Sequence, residues 1–150
     1  EGAAEAVVLL KAMIPLALGC ASHAADDVSQ AGMEFVSAYI NSLKRADRVT
    51  ADEIQNLTPI LGVLERKLMF DANFDFETPS EAEEVFLDLR KQLLIIFKNI
   101  TRLEPDVSLQ FVSSRFSQLL DKGGAEGCCS ANIPFYETEG VLTMLYELGE

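Results

Sequence analysis

Apolar side chains recur at intervals of three and four residues along the middle of the chain. The clearest run is Phe86, Leu89, Leu93, Ile96, Ile100 and Leu103. This spacing places all six side chains on one face of an α-helix. No segment of the sequence shows the alternation of apolar and polar residues that is typical of a strand. The sequence therefore predicts an all-α fold.

Residues suited to capping helices mark where the predicted helices begin. Thr50 and Glu53 have the spacing of a capping box. Thr78 and Glu81 have the same spacing, and Pro79 between them suits the first position of a helix. The predicted helices lie near residues 3–18, 26–46, 50–70, 79–103, 105–121 and 134–149.

The helix starts, taken in pairs, recur at about 50 residues, close to the roughly 40–47 residues of a HEAT or armadillo unit. We therefore expect antiparallel helix pairs stacked as a HEAT-repeat α-solenoid, an armadillo-like superhelix. A closed four-helix bundle is the alternative. The chain has no initial Met and stops inside a predicted helix. We interpret residues 1–150 as one excerpt of a longer solenoid, without separate domains.

Composition limits the function classes. Twelve basic and 24 acidic residues give a net charge of −12, which argues against a self-sufficient nucleic-acid-binding domain, because phosphate binding depends on Lys and Arg. Three Cys, two of them adjacent at Cys128 and Cys129, favour a reducing compartment. The apolar run over residues 6–21 is too short to span a membrane and lacks the basic flank of a signal peptide.

Catalytic and metal-binding patterns are weak. His23 is the only histidine, and no glycine-rich phosphate loop follows a strand. Residues 71–77 resemble the start of a calcium-binding EF-hand loop, but Phe76 stands where Gly is needed and Ala82 where a bidentate Glu is needed. We therefore predict neither an enzyme nor a site for a cofactor or metal.

Several segments carry a resemblance to a known family. The stretches LERKLMFD at 64–71, FDFE at 74–77 and FLDLRKQL at 86–93 closely resemble the middle of the exportin-T family, the tRNA-export receptors of the importin-β, or karyopherin, superfamily. Weaker matches lie at 23–29, 33–36, 112–116 and 142–148. Residues 123–132, which include the Cys pair, match no pattern of the family.

This resemblance implies a HEAT-repeat superhelix that binds Ran-GTP and mature tRNA in the nucleus and releases both in the cytoplasm after GTP hydrolysis. It also implies contact with nuclear pore proteins and shuttling between the two compartments. Two alternatives remain: a HEAT or armadillo scaffold that binds only proteins, and a helical-bundle enzyme subunit. Composition does not separate the first two, because a scaffold would have the same acidity.

The register of the family would place helices 50–70 and 106–122 on the concave, cargo-facing side. The tRNA-contact candidates are then Arg66, Lys67, Arg115 and Lys122. The alternative is that Arg66 and Lys67 balance Glu65 or cover apolar surface with their stems. We expect Arg90, Lys91, Lys98 and Arg102 to lie on the outer helix, where they form local pairs such as Asp88 with Lys91.

Acidic residues cluster between the third and fourth predicted helices. The candidates for contact with Ran are Asp71, Asp75, Glu77, Glu81, Glu83 and Glu84, with no basic residue among them. Opposite charge on a basic face of Ran would speed encounter. The alternative is a solvated loop with acids favoured by the helix dipole.

Overall fold

The computed structural model describes residues 2–123 and 133–149, and these residues form six α-helices without a strand. The helices are α1 (Gly2–Ala21), α2 (Asp26–Arg45), α3 (Ala51–Leu68), α4 (Glu81–Leu103), α5 (Pro105–Gly123) and α6 (Phe135–Leu148). The predicted all-α fold is confirmed, and the helix succession is consistent with a fragment of a HEAT-repeat solenoid. Cys128 and Cys129 lie outside the described residues.

The chain divides into two compact units, residues 1–63 and residues 64–150, with the division inside α3. In the first unit, α1 and α2 form an antiparallel hairpin. Gly32 of α2 packs directly against the backbone of Ala17 and Ala21 in α1. The buried Ser29 hydroxyl donates a hydrogen bond of 3.0 Å to the Ala21 carbonyl. Glycine at position 32 therefore sets how closely the two helices approach.

The core of the first unit includes Ile14, Ala17 and Ala21 of α1 together with residues of α2 and α3. Val36, Tyr39, Ile40 and Leu43 are buried on α2, and Leu57 and Ile60 on α3, among others. Burial raises the pKa of the Tyr39 hydroxyl, since the charged form is disfavoured away from water.

In the second unit, α4, α5 and α6 pack against one another. Leu93, Ile96 and Ile100 of α4 are buried, as their spacing predicts, and Phe97 beside them is also buried. On α5 the buried residues are Ser108, Val112 and Leu119, whereas Leu109 is 53% exposed. The spacing of Leu109, Val112, Phe116 and Leu119 predicts that these four residues form the buried face of α5. The observed face is rotated by about one residue at the start of the helix, where Ser108 takes the inner position.

Two capping boxes form, and one differs from the prediction. The Thr50–Glu53 box is present, with the Thr50 N–H donating to the Glu53 carboxylate at 2.7 Å and the Glu53 N–H donating to the Thr50 hydroxyl at 3.4 Å. The second box is formed by Ser80 and Glu83, not by Thr78 and Glu81. The Thr78 hydroxyl instead donates to Asp75, and α4 begins at Glu81, so Ser80 and not Thr78 is the residue before the helix.

Candidate interaction surface

Five phenylalanines cluster at the connection between α3 and α4. The Phe70 ring lies with its centroid 4.7 Å from that of Phe74, 4.9 Å from Phe76 and 5.6 Å from Phe86. Phe76 also meets Phe135 of α6 at 5.9 Å. These edge-to-face and tilted arrangements are the ones that aromatic rings prefer. The cluster fixes the course of the connection. The sequence signal for it was a concentration of Phe within residues 70–86, which periodicity alone does not interpret.

An open groove of about 490 Å³ lies on this cluster. Its walls combine aromatic rings with charged side chains at the rim. The lining residues are Arg66, Met69, Phe70, Asp71, Phe74, Ala82, Glu83, Phe86 and Tyr136. A second, almost wholly apolar depression of about 340 Å³ lies along α6 between Phe135 and Tyr146.

Arg90 supports the cluster from below. Its guanidinium carbon lies 3.9 Å from the centroid of the Phe70 ring, a cation–π contact. Its Nη2 donates to both carboxylate oxygens of Glu139 on α6, at 2.9 and 3.0 Å. Arg90 is only 7% exposed. The expectation that Arg90 serves a solvated outer helix with local pairing is therefore wrong, whereas the predicted local pair of Lys91 with Asp88 is confirmed at 2.8 Å.

Among the predicted tRNA contacts, Arg115 and Lys122 are held by carboxylates. Arg115 Nε and Nη2 lie 2.7–2.8 Å from the Glu65 carboxylate oxygens, and Nη1 donates to the Gln118 side chain at 2.7 Å. The hydrogen bond to Glu65 raises the pKa of Arg115, so the guanidinium stays charged. Lys122 binds Glu137 of α6 at 2.7 Å. The assignment of Arg115 and Lys122 to tRNA contact remains a prediction, and each side chain already forms an ion pair within the chain.

Arg66 and Lys67 lie side by side in the last turn of α3. Arg66 is exposed and lines the aromatic groove, whereas Lys67 is half-buried. Of the four predicted cargo contacts, Arg66 is thus the one placed at the groove.

The acidic residues fall into two groups. Asp75 and Glu83 organise the connection itself, because the Glu83 carboxylate accepts from the Asp75 N–H at 2.8 Å and Asp75 accepts from the N–H groups of Glu77 and Thr78. Hydrogen bonds from the Thr78 side chain and backbone lower the pKa of Asp75, and those from Ser80 lower the pKa of Glu83. Both carboxylates are therefore ionised at neutral pH and serve structure whatever else they do.

The other acidic candidates for the Ran contact are exposed to solvent. Asp71 accepts a hydrogen bond from the Asn73 N–H at 2.9 Å and lies at the groove rim. Glu77, Glu81 and Glu84 are exposed. These four side chains present negative charge to solvent along the same segment that carries the aromatic cluster.

Neither a metal site nor a membrane helix is found in the described part of the chain. Residues 2–123 and 133–149 contain no group of three His, Cys, Asp or Glu side chains placed to hold a metal ion. None of the helices described there is both long and apolar enough to cross a bilayer.

These features define the class of protein to which the chain belongs: an all-α protein whose helix succession is consistent with a fragment of a HEAT-repeat solenoid. The family model for Exportin-T matches residues 1–150. The chain belongs to the Exportin-T family.

Curated relatives agree with this assignment along the whole chain. Exportin-T of Mus musculus is 27% identical over 150 residues, which are 100% of this chain and 15% of the relative. Exportin-T of Danio rerio is 26% identical over 147 residues, covering 98% and 15%, and that of Oryza sativa subsp. japonica is 27% identical over 158 residues, covering 100% and 15%. The chain thus spans about 15% of the length of these relatives.

Proposed function

We propose that the protein containing this chain is a nuclear export receptor that carries mature tRNA out of the nucleus in complex with Ran-GTP. The observation that carries the proposal is membership of the Exportin-T family over all 150 residues. On this proposal, GTP hydrolysis by Ran in the cytoplasm releases both partners. The receptor passes between nucleus and cytoplasm through contacts with nuclear pore proteins and needs neither catalytic residues nor a cofactor of its own.

Within the chain, we assign the main phosphate contacts to Arg66 and Lys67. They are adjacent in the last turn of α3, and Arg66 is exposed. Arg115 and Lys122 are the other two candidates, and they bind Glu65 and Glu137 within the chain. We assign the Ran contact to the exposed carboxylates of the α3–α4 connection and the first turn of α4, where opposite charge would speed association.

The cargo assignment is tested by fluorescence anisotropy of labelled tRNA on the full-length receptor, with Ran loaded with a non-hydrolysable GTP analogue or with GDP. We expect binding with the GTP analogue and none with GDP. The double variant Arg66→Ala, Lys67→Ala should make the salt dependence shallower by about one unit of log–log slope per lost phosphate contact. Lys91→Ala with Arg102→Ala removes the same charge from α4 and should leave the slope unchanged.

The Ran assignment is tested separately by stopped-flow association. The triple variant Glu77→Gln, Glu81→Gln, Glu84→Gln should bind Ran-GTP more slowly at low salt, with the difference fading as salt screens the charges. Glu34→Gln, Asp47→Asn and Asp121→Asn together form the control, because they remove three exposed charges from other parts of the chain. An equal association rate for the two triple variants would remove the acidic segment from the Ran contact.

The second candidate function is a scaffold that binds proteins without tRNA. The observation that favours it is the pairing of Arg115 with Glu65 and of Lys122 with Glu137, in a chain whose net charge is −12. Under this alternative, tRNA would fail to bind in the presence of Ran-GTP, so the anisotropy titration distinguishes the two functions.

A further inference from the structure

We propose that the aromatic groove beside the α3–α4 connection binds a short peptide segment in which an aromatic side chain stands next to Lys or Arg. This inference goes beyond the export function and does not depend on it, because it rests only on the described lining of the groove, which lies between residues 66 and 86 and at Tyr136.

The floor of the groove is preformed. Phe70, Phe74 and Phe86 lie with centroids 4.7–6.0 Å apart, and Arg90 packs against Phe70. Rings fixed in this way lose little freedom when a partner binds. The volume of about 490 Å³ lies within the roughly 300–1,000 Å³ of ligand pockets. It suits one large apolar side chain with part of its backbone.

The charges at the rim select the occupant. Among the described residues that line the groove, Asp71 and Glu83 are acidic and Arg66 is the one basic residue. Between Asp71 and Glu84 the chain has six acidic residues and no basic residue. A basic residue beside the anchor would meet this negative field, whereas an acidic one would be repelled. The complementary partner is therefore a basic peptide with an aromatic anchor.

Single-stranded RNA is the competing occupant, because nucleobases also stack on aromatic rings. The acidic rim disfavours a nucleobase stacked in the groove, since its phosphate would lie beside Asp71 and Glu83. The tRNA contact proposed for Arg66 needs no base in the groove. The observations therefore favour the peptide, and the test below includes an RNA ligand for comparison.

The test uses the full-length protein and a fluorescein-labelled octapeptide, Gly-Ser-Lys-Arg-Phe-Lys-Gly-Ser. We expect saturable binding that weakens as salt rises. Two control peptides, one with Ala for Phe and one with Glu for each basic residue, should each bind at least about tenfold more weakly. Labelled hexauridylate should not saturate. Preferential binding of the RNA, or equal binding of the three peptides, would overturn the proposal.

Variants of the protein locate the site. Phe74→Ala should weaken peptide binding at least about tenfold, whereas Ile95→Ala, which removes an exposed apolar side chain outside the cluster and the groove lining, should change it less than about twofold. Asp71→Asn keeps an acceptor for the Asn73 N–H but loses the charge. It should weaken binding about threefold at low salt, with the effect fading at high salt, and Asp121→Asn is its matched control.

Circular dichroism and thermal melting establish that each variant is folded. A folded Phe74→Ala variant that binds the peptide as the wild type does would contradict the proposal. The tRNA and Ran titrations are separate measurements. If the protein binds tRNA and Ran-GTP but not the peptide, the groove proposal fails and the proposed function stands. If it binds the peptide but neither tRNA nor Ran-GTP, the proposed function fails and the groove proposal stands.

Discussion

Arg115 on α5 closes over the carboxylate of Glu65 on α3, with Nη2 2.7 Å from Glu65 Oε2. The Glu65 side chain is only 3% accessible, whereas that of Arg115 is 36% accessible. A carboxylate withdrawn this far from water needs a cationic partner to remain charged. The first duty of Arg115 is therefore to neutralise Glu65, and any role toward tRNA comes in addition.

Removing Arg115 alone should leave the Glu65 carboxylate buried without its cation. We expect Arg115→Met to lower the free energy of unfolding by about 1–3 kcal/mol, the cost of an unsatisfied buried group. Because Arg115 is partly exposed, solvent screening reduces this loss of stability. The double variant Glu65→Met, Arg115→Met should be close to the wild type, because replacing both partners by apolar groups is often neutral. Urea unfolding of the four members of this cycle measures the coupling. Additive effects would show that the pair contributes nothing.

Gly32 should not tolerate a larger side chain. A Cβ at this position would lie 2.7 Å from Ala21 Cα and 2.8 Å from the Ala17 carbonyl oxygen, both of them backbone atoms. Gly32→Ala should therefore force α1 and α2 apart and cost about 1–3 kcal/mol or more. Gly19→Ala is the matched control, because a Cβ there meets nothing within 4 Å. It should stabilise the chain by about 0.5–1 kcal/mol through helix propensity. Thermal unfolding followed by circular dichroism should separate the two variants in opposite directions.

Leu93 and Ile95 test the buried face of α4. Leu93 is 1% exposed and Ile95 is 59% exposed. Leu93→Ala should cost about 2–5 kcal/mol through lost apolar transfer and a residual cavity, whereas Ile95→Ala should stay within about 0.5 kcal/mol. Chemical denaturation gives both values, and similar losses for the two variants would mean that the face has been assigned incorrectly.

The start of α4 should depend on Ser80 rather than on Thr78. Ser80→Ala removes the acceptor for the Glu83 N–H and should cost about 0.5–2 kcal/mol. Thr78→Ala removes only an exposed hydrogen bond to Asp75, so its cost should be smaller. Amide hydrogen exchange in the first turn of α4 reports the difference directly, with faster exchange expected in Ser80→Ala alone.

Stability at acid pH should depend on Glu83. Hydrogen bonds from the Ser80 side chain and then from backbone N–H groups lower its pKa below the usual 4.5. Because the folded-state pKa is the lower one, the stabilisation is complete above about pH 4.5 and is lost as the pH falls through the folded-state pKa.

Glu83→Gln retains an acceptor for the capping box but cannot titrate. Its unfolding free energy should therefore fall less steeply below pH 4.5 than that of the wild type. Glu84→Gln, which removes an exposed carboxylate outside the box, controls for the change in net charge. Parallel pH profiles for Glu83→Gln and the wild type would rule out this contribution.

Local pattern was enough to predict much of the helical framework. The six helices of the described residues follow the predicted order, and the box at Thr50 and Glu53 forms as its spacing indicates. Local sequence rules did not decide between nearby residues that could both cap a helix or both occupy a buried position. Ser80 caps α4 because the helix begins at Glu81, two residues later than predicted. Ser108 and not Leu109 is buried on α5, where packing against α4 and α6 fixes the rotation of the helix.

The all-α character of the chain was readable from its residues because helical periodicity is a property of neighbours three and four positions apart. The use of its charges was not readable in this way. Arg115 pairs with Glu65 at a sequence separation of 50 residues, and Arg90 pairs with Glu139 at a separation of 49. Helical periodicity carries no information over such separations. Packing of the helices brings these groups together, and burial turns two residues that look like solvated surface into ion pairs. Tertiary structure alone therefore decided which basic side chains are engaged internally and where the aromatic groove lies.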